Sequence, residues 1–203
     1  MTLTAKPDTN TEQLLKLALE HLQRPGAVLL VPTETVYGLV CSWHDELARE
    51  RIYKLKARDG RKPLAMFASS ADMAEKSGVK LNDDARKLLD HFAPGPITVI
   101  TPGCEKYPTI GVRIPDHPFV LELLKRSNMA LASTSANASG MPNVLKVSDA
   151  LAQLDGEVDL VIDGGTLPED AAASTVVTVC EKPCRVLRQG PISESAIKEI
   201  LHQ

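Results

Sequence analysis

The sequence predicts a single α/β domain, a twisted mixed sheet with flanking helices. Three observations predict it. Short apolar runs rich in β-branched residues alternate with longer segments of helical spacing. No low-complexity linker or internal repeat divides the chain. Its 203 residues, 43% apolar and 24% charged, are enough for one core of ordinary size.

Met1–Asn10 is polar and is read as a flexible N-terminus without the apolar stretch of a signal peptide, leaving 11–203 as the domain. Thr11–Gln23 puts Leu14, Leu15, Ala18, Leu19 and Leu22 on one helical face, and Pro25-Gly26 ends it. Ala27–Val31 is continuously apolar, as expected of a strand buried on both faces. Asp45–Leu55 has helical spacing, and Leu64–Ala68 is a second short apolar run. Asn82–Phe92 opens with a capping residue and two carboxylates, then shows helical spacing through Ala85, Leu88 and Leu89.

Pro94-Gly95-Pro96 punctuates the chain before Ile97–Thr101, a strand rich in β-branched residues. Thr109–Ile114 is another strand, stopped by Pro115, and Pro118–Arg126 is a helix with proline in its first turn. Met129–Ala132 reads as a short strand feeding a hydroxyl-rich loop, Ser133–Asn137. Leu160–Ile162, Thr175–Val179 and Val186–Arg188 complete the strands, and Ser193 caps a last helix to about Leu201.

Composition excludes several classes. Aromatics make up 3% of the chain, too few for a base-stacking platform, and a net charge of −3 argues against a bulk cationic nucleic-acid binder. There is no run of about 18 apolar residues to span a membrane. Cys41, Cys104, Cys180 and Cys184 have no zinc spacing and read as small buried thiols of a reducing cytosol, with no metal site.

Three ordered segments carry candidate chemistry. Pro32-Thr33-Glu34-Thr35-Val36-Tyr37-Gly38-Leu39 puts hydroxyls just after a buried strand, where ligands often bind in open α/β sheets. Lys56-Ala57-Arg58 and Lys62-Pro63-Leu64 offer cations for phosphates, and no Gly-rich phosphate loop is present. Ser133-Thr134-Ser135-Ala136-Asn137 offers hydroxyls and an amide. Read by spacing alone, each is equally a solvated basic loop, an Ser/Asx turn or a set of satisfied buried hydroxyls. Arg113, Ser174 and Arg188 are ambiguous in the same way. No Gly-x-Ser-x-Gly elbow supports a serine nucleophile.

Taken together, P-T-E-T-V-Y-G-L, the K-x-R motif and the S-x-N motif, in that order, resemble the YrdC-type threonylcarbamoyl-AMP synthases. The resemblance runs from about Thr11 to Leu201 and includes Pro94–Thr98, Val112–Pro115, Ser174–Val177 and Arg188-Gln189-Gly190. The chain departs from the family pattern at Val40–Trp43, at Asp59 and at Phe67. The resemblance implies a YrdC-like fold with an open concave cleft. It also implies an enzyme that makes threonylcarbamoyl-AMP and pyrophosphate from threonine, bicarbonate and ATP. Thr35, Tyr37, Arg113, Ser133 and Ser174 are implied for threonine. Lys56, Arg58, Lys62, Thr109, Ser135, Asn137, Asn143 and Arg188 are implied for ATP, with Lys56 and Arg58 as the catalytic cations and Mg²⁺ accompanying ATP. A cytoplasmic tRNA-modifying transferase complex is the implied partner. The alternatives are a YciO-type paralogue and a module of the same fold that contacts double-stranded RNA.

Overall fold

Ten strands form one mixed sheet among the described residues, which in this computed structural model are 3–5, 11–57, 59–60 and 63–202. In chain order they are β1 (Leu3–Ala5), β2 (Leu29–Val31), β3 (Gly38–Ser42), β4 (Ala65–Phe67), β5 (Ile97–Pro102), β6 (Thr109–Arg113), β7 (Leu131–Ser135), β8 (Leu160–Ile162), β9 (Thr175–Thr178) and β10 (Arg185–Arg188). The helices are α1 (Thr11–Leu22), α2 (Glu46–Leu55), α3 (Ala71–Lys76), α4 (Asp83–Phe92), α5 (Pro118–Ser127), α6 (Val147–Ala152) and α7 (Glu194–Leu201). The strands lie in the order β1-β8-β2-β3-β7-β4-β6-β5-β9-β10. Parallel pairs are β1/β8, β8/β2, β4/β6 and β5/β9, and the rest are antiparallel.

Side chains alternate across each strand, and the two faces meet different neighbours. One face presents Leu30, Leu39, Met66, Val99, Val112, Ala132 and Val177 to the main core, with Ile52, Leu88 and Ile197 from α2, α4 and α7. The opposite face of β8, β2, β3 and β7 presents Leu160, Leu29, Val31, Val40 and Leu131 to a second core under α1 and α5. The expectation that Ala27–Val31 is buried on both faces therefore holds, since all of β2 is buried. Among the described residues the α1/α5 cover ends near β7 and Phe67, so the remaining strands are covered on one face only.

Helix starts follow the capping residues. Asp45 accepts from Ala48 N at 3.0 Å and from Gly26 N at 2.7 Å. Asn82 accepts from Ala85 N at 2.9 Å and donates to Val179 O at 2.8 Å. Ser193 accepts from Ala196 N at 3.2 Å.

The structure differs from the sequence reading in several places. Leu3–Ala5 lies in the segment read as a flexible N-terminus, yet it adds a parallel edge strand beside β8. Ser133–Ser135 is the end of β7 and not a loop, because β3 pairs with it on one side and β4 reaches Ser133 on the other. β3 itself, α3 and α6 were not expected. Of the cysteines, Cys41 and Cys184 are buried, but Cys104 and Cys180 are exposed.

Leu30, on β2, is fully buried in the main core. Leu30→Ala is expected to cost about 2–5 kcal/mol, read as a lower urea midpoint at unchanged slope.

Candidate functional site

The face that α1 and α5 leave uncovered forms a cleft of about 300 Å³. Its floor follows from strand periodicity. β5 contributes Thr98 and Ile100, β6 contributes Thr109, Gly111 and Arg113, and β7 contributes Ser133 and Ser135. Ser174, Val176 and Arg188 close one side, and Pro63, Leu64 and Phe67 the other. In β7 the change is visible along one face: Leu131 packs under the helices, while Ser133 and Ser135 face the cleft.

Two guanidinium groups dominate the electrostatics. Arg113 is buried, and its Nη2 donates to Glu34 Oε1 and to Thr35 Oγ1, each at 2.8 Å. Its guanidinium also lies 5.4 Å from the Phe67 ring centroid, a distance at which a cation is attracted to the ring face. Arg188 donates through Nε (3.0 Å) and Nη2 (2.8 Å) to the Ser174 carbonyl, and through Nη2 to Ser174 Oγ at 3.2 Å. Partial burial, and then the nearby Arg113 charge, lower the Arg188 pKa from its ordinary value. Two like charges held together in a recess favour an anionic occupant.

The hydroxyls around them are ordered. Ser174 Oγ and Thr98 Oγ1 are 2.8 Å apart, and Ser174 and Ser133 are buried. Gly190 allows the turn after β10 to close on this segment. A Cβ there would stand 2.4 Å from both Thr175 N and Ala173 O.

Of the residues expected at the site, Thr109, Arg113, Ser133, Ser135, Ser174 and Arg188 meet at the cleft. Thr35 is buried behind it, with its hydroxyl spent on Arg113 and on Thr33 Oγ1 at 2.9 Å. Tyr37 is not a wall of the pocket. It is fully buried, donates to Gly165 O at 2.6 Å and accepts from Gly164 N at 3.0 Å. Burial is the main reason its phenol pKa is raised to about 12. Its backbone carbonyl accepts from Ala136 N at 2.8 Å, so the Tyr37 main chain holds the S-x-N segment.

Lys56 also has a different place from the one expected. It is buried, and its ammonium donates to the Ser135 and Asn137 carbonyls. Its own carbonyl accepts from Ser139 N at 3.3 Å. The K-x-R lysine therefore ties the end of α2 to the S-x-N segment, and does not line the cleft. Asn137 is buried too and donates to Met141 O, which leaves its amide within the turn. Asn143 is exposed and outside the cleft lining. Arg58 and Lys62 fall outside the described residues.

Thr98, Gly111 and Val176 are cleft residues that the sequence reading left unassigned. Period-two counting back from Arg113, and along β5 and β9, was the signal that would have found them. Glu34, which the sequence offers only as part of the P-T-E-T segment, is the carboxylate paired with Arg113.

The family model Sua5/YciO/YrdC, described as telomere recombination, matches residues 21–190. The chain is similar to a threonylcarbamoyl-AMP synthase of Pyrococcus abyssi, 32% identical over 186 residues, covering 88% of this chain and 54% of that protein. The Rattus norvegicus threonylcarbamoyl-AMP synthase is 38% identical over 179 residues, covering 81% of this chain and 62% of its own. A putative threonylcarbamoyl-AMP synthase of Methanocaldococcus jannaschii is 32% identical and covers 89% of both. The chain thus spans between 54% and 62% of the first two relatives' length. Among solved structures, P. abyssi Sua5 complexed with L-threonine superposes with a TM-score of 0.87 at 29% identity, covering 99% of this chain and 61% of that one. E. coli YciO superposes with a TM-score of 0.82 at 25% identity, covering 97% and 98%.

Lys56→Met removes the ammonium and leaves two buried carbonyls without it. Urea unfolding is expected to show a loss of about 3 kcal/mol. His117, at the start of α5, is held neutral at lower pH than usual, chiefly by burial, against the opposing pull of Glu34 and Asp116. The unfolded chain therefore takes up this proton first, and stability falls as pH drops below about 6.5. Stability curves of His117→Asn should lose that component of the acid-side decline.

Proposed function

The chain belongs to the Sua5/YciO/YrdC family, and on that premise we propose that it is an L-threonylcarbamoyladenylate synthase. It would make threonylcarbamoyl-AMP and pyrophosphate from threonine, bicarbonate and ATP. The observation that carries this reading is the pair Arg113 and Arg188 in one hydroxyl-lined cleft. Both the carboxylate of an amino acid and a nucleotide phosphate need such cations.

The reaction suits the residues. The threonine amine adds to CO₂ derived from bicarbonate and gives a carbamate. A carbamate oxygen then attacks the α-phosphorus of ATP, and pyrophosphate leaves. Two anions must meet, so alignment and charge compensation are the protein's main task, and no protein nucleophile is needed. Arg113 would hold the threonine carboxylate, with Ser133 and Ser174 beside it. Arg188, Thr109 and Ser135 would face the nucleotide. On the family resemblance, Arg58, Lys62 and Asn143 are assigned to the nucleotide as well. Thr35, Tyr37, Lys56 and Asn137 would support the site from behind.

Among the described residues, the cleft lining contains hydroxyls and guanidiniums and no carboxylate. That donor set does not form a magnesium cage. Mg²⁺ would therefore travel on the ATP phosphates with water as its remaining ligands, where it offsets phosphate charge. The product would pass to a tRNA-modifying transferase complex in the cytoplasm. Among the described residues, no helix is long and apolar enough to cross a membrane. A YciO-type paralogue is the second reading, favoured by the near-complete mutual coverage with E. coli YciO. The synthase names of the curated relatives favour the first.

Pyrophosphate release from ATP tests the choice. Release that requires both threonine and bicarbonate is expected, and Arg188→Ala should lower kcat/KM by about 10²–10³. Nucleotide binding without threonine-dependent release would favour the paralogue.

A further inference from the structure

Arg188, Ser174 and Thr98 form one hydrogen-bonded chain of side chains along the cleft, and one proton of that chain has no acceptor. Arg188 can only donate, and its Nη2 gives one bond to Ser174 Oγ at 3.2 Å. Ser174 Oγ and Thr98 Oγ1 share a second bond at 2.8 Å, in which one hydroxyl donates and the other accepts. Two hydroxyls carry two protons, and this bond uses one of them. Among the described residues, neither hydroxyl makes a further hydrogen bond. One O–H is therefore left over, and both residues, though buried, line the cleft. Strand register says where. One step on from the Val99–Val112 pair of β5 and β6, Thr98 stands beside Arg113, and on its other side it pairs with Val176. A Cβ on Gly111 would stand 3.0 Å from Thr98 Cγ2. The bare backbone of Gly111 thus makes room for the Thr98 methyl, while the Thr98 hydroxyl reaches Ser174.

We propose that Thr98 is a positioning residue for the amino-acid substrate: it donates to Ser174, and so directs the Ser174 proton at the carboxylate that Arg113 holds. The proposal rests on the threonine reading above and deepens it. Of the two directions the shared bond can take, this one suits an anionic occupant. A hydroxyl that accepts from both a guanidinium and a second hydroxyl is polarised toward donation. Its own O–H then has one acceptor to find, and a carboxylate beside Arg113 supplies it. Without the Thr98 hydroxyl, Ser174 keeps its bond from Arg188, but its proton is free to turn away from the occupant. What is lost is orientation, with no change in the charge of the cleft.

The test is a binding comparison by calorimetry that does not depend on turnover. L-Threonine and, separately, ATP are titrated into the wild-type chain, Thr98→Val and Thr98→Ser. Thr98→Val keeps the shape and removes the hydroxyl. It is expected to weaken threonine about 5- to 20-fold, the loss of one oriented hydrogen bond, and to leave ATP within about twofold. Thr98→Ser restores the hydroxyl and should bring threonine back to within about threefold of wild type. Unchanged threonine affinity in Thr98→Val would overturn the proposal. Equal weakening of both ligands, or no recovery in Thr98→Ser, would overturn it too, because Thr98 would then only shape the cleft floor. Should Thr98→Val fail to fold, as judged by its melting curve, Thr98→Ala removes the same hydroxyl, and the same selective loss is expected. Absence of threonine binding by the wild-type chain would overturn the threonine reading and this proposal with it, whereas wild-type binding that Thr98→Val leaves intact would overturn the proposal alone.

Discussion

The structure depends on one constraint: a single sheet must be buried fully on one face and only in part on the other. Period-two alternation makes this affordable, because each strand can serve two environments at once. The main core takes Leu30, Met66, Val99, Val112 and Val177. The other face is divided between a helical cover, over Leu29, Val40 and Leu131, and an open recess, over Thr98, Gly111 and Ser135. Stability and chemistry are thereby separated by the thickness of a strand. Cleft side chains can be polar or charged without weakening the packing directly beneath them.

Within the recess, positive charge has to be held in place against its own repulsion. Arg113 is fixed by Glu34 and Thr35, and Arg188 by the carbonyl and hydroxyl of Ser174. These anchors keep both side chains ordered without an anion present, so less entropy is lost when one arrives. The supports in turn come from distant segments. The S-x-N segment is gripped by the Lys56 ammonium on one side and by the Tyr37 carbonyl on the other.

Much of this was legible in the sequence, for reasons that differ by residue. Helices with clear caps, such as those begun by Asn82 and Ser193, appear where local hydrogen bonding predicts them. Arg113, Ser133, Ser174 and Arg188 were identified through ordered motifs and do gather at one cleft. The places of Lys56 and Tyr37 were not legible. Their partners are carbonyls and amides 79 to 128 residues along the chain, and only the tertiary fold decides whether a motif residue faces ligand or backbone. Thr98 was hidden for the opposite reason. It looks like any β-branched strand residue, and its role comes from the absence of a helix above it. β3 went unseen because its residues were read as the tail of a motif, although they pair fully with β7.

The lysine staple also links two kinds of motion. The last turn of α2 and the segment from Ser135 to Ser139 share one buried cation and a backbone bond from Ser139 to Lys56. Neither can open to solvent without stranding groups that belong to the other, so the two behave as one cooperative unit. Fraying at this helix end would erase part of the recess, and an occupant of the recess would hold the helix end closed. The protein thus carries a route by which local helix stability sets the fraction of molecules ready to bind.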